Sequence, residues 1–180
     1  MKINFKEIAE TFVLKEKIIL DKIPNFAAEI PAFTSVSVAE LNKESVKKLG
    51  TVDVLYFFKI INSDKETTQK IRSQIQAIKD NKETDYKLPL VNKESNDDIL
   101  YVGKSSGKFS TRLNQHLFKD SKSTYALHLQ NWEKNELKLE LHYTSVDLSK
   151  YDEGDKKVFL EKLETVLHAH LKPILGRTGH

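Results

Sequence analysis

The sequence predicts an α+β fold in which a small, mainly antiparallel central sheet is flanked by helices and preceded by a helical N-terminal extension over residues 1–50. Three observations carry this. Residues 52–61 are dense in β-branched and aromatic side chains, with apolar residues on both alternating faces, as in a strand placed mid-sheet. Leu137, Leu139, Leu141 and Tyr143 alternate with Lys138, Glu140 and His142, the pattern of a half-buried strand. Elsewhere apolar residues recur at helical spacing, as in Ile71, Ile75 and Ile78, or Leu160, Leu163, Leu167 and Leu171.

Taken in order, residues 4–20 read as a first helix, with Phe5, Ile8, Ala9 and Phe12 on one face, ended by Pro24 and Pro31. A second short helix is expected over 38–49, with Ser37 as its cap and Gly50 at its stop. After the central strand, Ser63 followed by Glu66 has the form of a capping box and opens a helix over 64–80. A polar loop containing Pro89 leads to a short strand at 99–103, and Leu113 and Leu117 mark a helix over 109–118. Residues 125–132 read as a further helix, in which Trp132 with Leu127 and Leu129 belongs to the core rather than to a base-stacking surface. The last helix, 156–171, stops at Lys172-Pro173. The chain shows no internal repeat and no low-complexity segment.

At 180 residues the default is one compact core, and 39% apolar with 31% charged residues suits a globular chain. There is no cysteine, which excludes disulfides, thiolate zinc sites and a cysteine nucleophile, so a metal would need oxygen or imidazole ligands. The first residues lack the apolar centre of a signal peptide and no apolar run has membrane length, so a cytoplasmic setting is expected. Net charge is only +3, but between Tyr101 and Tyr125 the bases Lys104, Lys108, Arg112, Lys119 and Lys122 face a single acid, Asp120. Such local clustering, rather than the total, points to a polyanionic partner.

Chemistry-bearing residues follow in a definite order: Tyr56 in a strand, Tyr101-Val102-Gly103-Lys104 ending another, Arg112 and His116 on a helix, and Glu164 on a helix before Lys172-Pro173. This order resembles the GIY-YIG nuclease family, with the first motif degenerate as Val54-Leu55-Tyr56 and the second kept as Tyr101-Val102-Gly103. The resemblance spans about residues 52–176, so that 51–180 would be the nuclease domain, carrying a helical insertion at about 63–95.

The resemblance implies a metal-dependent endonuclease acting on DNA, expected to be double-stranded, with one Mg²⁺ or Mn²⁺. Glu164 would hold the metal, and Arg112 would grip the scissile phosphate with its planar fork. Tyr56 or Tyr101 would orient or deprotonate water, its high pKa lowered by Lys104 or by the metal. His116, four residues after Arg112, would share its helix face toward the phosphate. Lys104, Lys108, Arg112, Lys119, Lys122 and Arg177 would contact nucleic acid. The asparagine the family often carries three residues after the last proline is Gly176 here.

Taken singly, each residue has a plainer reading: Tyr56 a core aromatic, Tyr101 a strand-end turn residue, Arg112 with His116 a solvated helix face, and Glu164 half of a salt bridge with Lys157 or Arg112. Order and spacing together favour the site. His168 shares a face with Glu164 at i, i+4 and reads either as its support or, slightly preferred, as a solvated histidine; His168 and His170 point too far apart to share a zinc ion. Rival readings of the whole chain are a non-cleaving nucleic-acid-binding module on the same fold, favoured by Val54 and Gly176, and a structural or regulatory partner protein.

Overall fold

A computed structural model describes residues 13–14, 17–18, 20–23, 30–81, 84–133 and 136–177. Four strands form one antiparallel sheet: β1 (Thr34–Ser37), β2 (Val54–Ile60), β3 (Ile99–Ser105) and β4 (Leu139–Ser145), in the order β1-β4-β2-β3. Around it lie α1 (Lys43–Lys48), α2 (Lys65–Asp80), α3 (Phe109–Leu117), the single turn α4 (Leu129–Trp132) and α5 (Glu153–Leu171). The α+β class and the mid-sheet place of β2 are as expected. Among the described residues no helix is long and apolar enough to cross a membrane.

β2 is apolar on both faces because both faces are covered. Val54, Tyr56, Phe58 and Ile60 enter a core shared with Ile71 and Ile75 of α2 and Phe109 and Leu113 of α3. Leu55, pointing the other way, packs in a second core with Phe159, Leu160 and Leu163 of α5. The outer edge of β3 is closed after α5. Lys172 takes a left-handed conformation (φ 49°), and the chain turns back so that the N–H groups of Ile174 and Leu175 donate to the carbonyls of Ile99 and Leu100 at 2.7 and 2.9 Å. That covers backbone groups that would otherwise form an open sheet edge.

The structure corrects several local expectations. Residues 1–50 are not a purely helical extension: residues 34–37 pair with β4, Val36 opposite Leu141, and Val46 of α1 is fully buried in the main core. A four-residue strand is too short for its alternation to stand out in sequence. Ser37 makes no side-chain cap bond; α1 begins instead at Asn42, whose Oδ1 accepts from the N–H groups of Glu44 and Ser45 at 2.9 Å. The cap of α2 is Asp64 rather than Ser63, accepting from the Thr67 N–H at 2.7 Å, and its carboxylate also gains from the helix dipole. Residues 125–128 are not helical, since His128 sits at φ 49° and only α4 follows. Of the helix expected over 4–20, residues 13, 14, 17, 18 and 20 are helical, while Phe5, Ile8, Ala9 and Phe12 lie outside the described residues.

Leu141 is fully buried between Phe58 and Val36 across neighbouring strands. Leu141→Ala should cost about 2–5 kcal/mol in denaturant unfolding, whereas the same change at Leu90, 45% exposed, should stay within roughly 0.5 kcal/mol. Equal effects at both positions would contradict this description of the core.

Candidate active site

Strand register brings the two tyrosines together. β2 and β3 pair Tyr56 with Gly103 and Phe58 with Tyr101, and side chains two residues apart share a face, so both phenols project from the same side of the sheet. Their ring centroids are 6.2 Å apart. The glycine of Tyr101-Val102-Gly103 has a steric reason. A Cβ built on Gly103 would lie 2.6 Å from the Tyr56 hydroxyl oxygen and 2.7 Å from Cε1 of Tyr101, so the tyrosine rings fill the place of a side chain.

Helix α3 crosses this face with Phe109, Leu113, His116 and Leu117 buried, which sets Arg112 beside the phenols. Its guanidinium donates from Nε to the Tyr56 hydroxyl at 3.1 Å, from Nη1 to Gln115 Oε1 at 3.1 Å, and from Nη2 to the Tyr101 hydroxyl at 3.2 Å and the Tyr125 carbonyl at 2.5 Å. His116 is fully buried behind Tyr56. Its Nδ1 accepts from the Leu127 N–H at 3.0 Å, so the ring proton resides on Nε2, which donates to the Tyr56 hydroxyl at 2.8 Å. Burial pushes the His116 imidazole well below its usual range, and nearby Arg112 pushes the same way, so the ring is neutral. The Tyr56 oxygen accepts from His116 and Arg112, and the Tyr101 oxygen accepts from Arg112, which leaves the Tyr101 hydroxyl proton to donate into the cavity it lines.

Glu164 reaches the same place from α5. Tyr101, Lys104, Arg112, Glu164 and Arg177 line a cavity of about 660 Å³, together with Gln115, Thr124, Tyr125 and the turn at Ser106-Gly107. Burial pushes the Glu164 carboxyl up to about 7, although Lys104 and Arg112 pull it down. No salt bridge to Glu164 or Arg112 occurs among the described residues; Lys104 pairs instead with Glu161 at 3.6 Å. Comparison of the chain with models of known families, with curated proteins and with solved structures gave no match.

Of the residues expected at the site, Tyr101, Lys104, Arg112, Glu164 and Arg177 converge on the cavity, while Tyr56 and His116 do not reach it. His116 was expected to face a phosphate; it is fully buried because its ring is needed between Tyr56 and the Leu127 backbone. Nor are the tyrosines activated as expected: burial pushes the phenols of both Tyr56 and Tyr101 up, and Arg112 only partly offsets it. Lys108, Lys119 and Lys122 do not line the cavity. Lys108 precedes the first turn of α3, Lys119 follows its last, and Lys122 is paired with Asp85 at 2.5 Å. His168 is not solvated: it is 9% exposed, and its Nε2 has no hydrogen-bond partner among the described residues. At Gly176, φ is +130°, a conformation that excludes the asparagine of the family pattern. Gln115 and Tyr125 were missed. Gln115 lies three residues after Arg112, a spacing that could have found it, whereas Tyr125 is brought in by an irregular loop.

The donor set fits a hard divalent cation. Glu164 is a half-buried carboxylate, not neutralised by any ion pair among the described residues, and Mg²⁺ commonly takes one or two protein carboxylates and keeps water in its other positions. No group of three or more His, Asp or Glu occurs among the described residues, so a caged structural site is not what this arrangement offers.

Two outcomes test the geometry. Gly103→Ala forces a methyl group against the two rings and should cost roughly 1–3 kcal/mol. Tyr56→Phe leaves Arg112 Nε and His116 Nε2 without an acceptor and should cost about the same. Thermal melts that leave either variant at the parent midpoint would refute the network. A second test uses pH. The folded carboxyl of Glu164 sits near 7 against an ordinary value of 4.5, so between these the native state holds a proton that the unfolded chain has released. Stability from this group is therefore full below about 4.5 and lost as pH rises through about 7, at a slope of at most about 1.4 kcal/mol per pH unit. His116, His128 and His168, all pushed down by burial, act in the opposite direction. The measurement is the difference between the parent and Glu164→Gln across pH 5 to 8, and parallel curves would overturn the assignment.

Proposed function

We propose that the chain is a metal-dependent endonuclease of GIY-YIG type, hydrolysing phosphodiester bonds in DNA. The observation that carries this reading is charge placement. Among the described residues, a guanidinium without a carboxylate ion-pair partner and a half-buried carboxylate without a cationic ion-pair partner line one cavity. The first calls for an anion and the second for a cation, and a phosphate accompanied by a divalent metal supplies both.

In this reading Arg112 and Lys104 hold the phosphate oxygens and offset the charge that grows on them in the transition state. Glu164 holds the metal ion, and a bound Mg²⁺ or Mn²⁺ supplies Lewis-acid stabilisation of the phosphate. Tyr101 acts as a neutral donor rather than a base, its outward O–H orienting the attacking water or a phosphate oxygen. Tyr56 and His116 are positioning residues, which fix the plane of the guanidinium through the Tyr56 hydroxyl.

The non-cleaving reading has one observation in its favour: four of the five N–H donors of Arg112 already have protein acceptors. Incubation of the purified protein with supercoiled plasmid and Mg²⁺ or Mn²⁺, with and without chelator, separates the two. The nuclease reading expects chelator-sensitive nicking, reduced about 100-fold or more by Arg112→Ala or Glu164→Gln and unchanged by Lys122→Ala. Binding without nicking would favour the alternative, and nicking that survives both site substitutions would sink the proposal.

A further inference from the structure

Tyr125 is 57% exposed, the most exposed aromatic residue among the large apolar side chains described, and it stands at the mouth of the cavity. Its backbone is nonetheless held on both sides. The carbonyl accepts from Arg112 Nη2 at 2.5 Å, and the next N–H, that of Ala126, donates to the Lys87 carbonyl at 3.2 Å. Lys87 also places its ammonium 5.8 Å from the Tyr125 ring centroid. The ring forms a wall common to two depressions: the site cavity and a second of about 260 Å³ lined by Lys79, Thr84, Tyr86, Lys87 and Leu88. Among the described residues lining the two, Lys79, Lys87, Lys104, Arg112 and Arg177 face one carboxylate, Glu164.

We propose that Tyr125 is a stacking platform for an unpaired nucleobase, so that the strand cleaved is single-stranded beside the scissile phosphate. The proposal rests on the nuclease reading for the phosphate site and goes beyond it in naming the substrate class. An exposed aromatic face in a basic groove is how proteins hold single strands, because every base has a π-face and the backbone supplies the charge. A base inside a duplex has both faces covered by its neighbours and cannot reach the ring unless it is extruded. Coupling to the phosphate site is direct, since the residue that carries the ring also accepts from the guanidinium. A duplex footprint would need a wider basic surface. Lys108, Lys119 and Lys122, which would have supplied it, do not line either depression.

The test is fluorescence anisotropy with chelator present, in the Glu164→Gln background, using one labelled oligonucleotide alone and annealed to its complement. The single strand should bind more tightly. Tyr125→Ala should weaken that binding about 5- to 150-fold, Tyr125→Phe should bind like the parent, and duplex binding should respond to neither. Thermal melts matching the parent establish that the exposed substitution leaves the fold intact. Tighter binding of the duplex, or an Ala variant that binds single strands like the parent, overturns the platform. The two proposals fail separately: plasmid nicking with Tyr125-independent binding sinks the platform alone, and Tyr125-dependent binding without nicking by the parent sinks the nuclease alone.

Discussion

The Tyr56 hydroxyl is the point on which the candidate site depends. This buried group accepts from a neutral imidazole and from a guanidinium that also donates to the Tyr101 hydroxyl. Both donors come from α3, and His116 also takes the Leu127 N–H, so the network fixes α3 and the loop before α4 against the sheet at one point. In a water-free interior such bonds are directional, and a missing partner is costly. The Leu127 N–H decides the histidine tautomer, and the tautomer makes Nε2 the donor to the Tyr56 hydroxyl.

The same network explains which parts of the molecule were legible in sequence. α2, α3, β4 and α5 were visible because each buries a periodic apolar face, and β2 because its run of β-branched and aromatic residues is apolar on both faces. β1 was not, since four residues of an edge strand carry too little pattern and were hidden inside a stretch read as helical. The cluster of Tyr101, Arg112 and Glu164 was legible from residue type and order. Its layering was not. Nothing in the spacing of Arg112 and His116 reveals that one side chain turns to the cavity and the other to the core, because a shift of four residues keeps both on one helix face while the curvature of the packing divides them. Gly103 was readable as a motif residue, yet its reason, the two rings occupying the site of its Cβ, exists only across strands.

Charge at the cavity is kept apart by local pairing. Lys104 follows Gly103 directly and so projects to the opposite side of β3 from the Tyr56 face, toward α5, where both Glu161 and Glu164 are near. It meets Glu161 at 3.6 Å, one helical turn earlier. Arg112 on the other wall is equally kept from Glu164 by its four protein acceptors, which hold the guanidinium in place without neutralising it. Two half-buried charges that do not collapse into an ion pair each carry a desolvation cost that a simple salt bridge would have reduced. The fold tolerates that cost through its two apolar cores, with Lys104 shared between its ion pair to Glu161 and its pull on the Glu164 carboxyl.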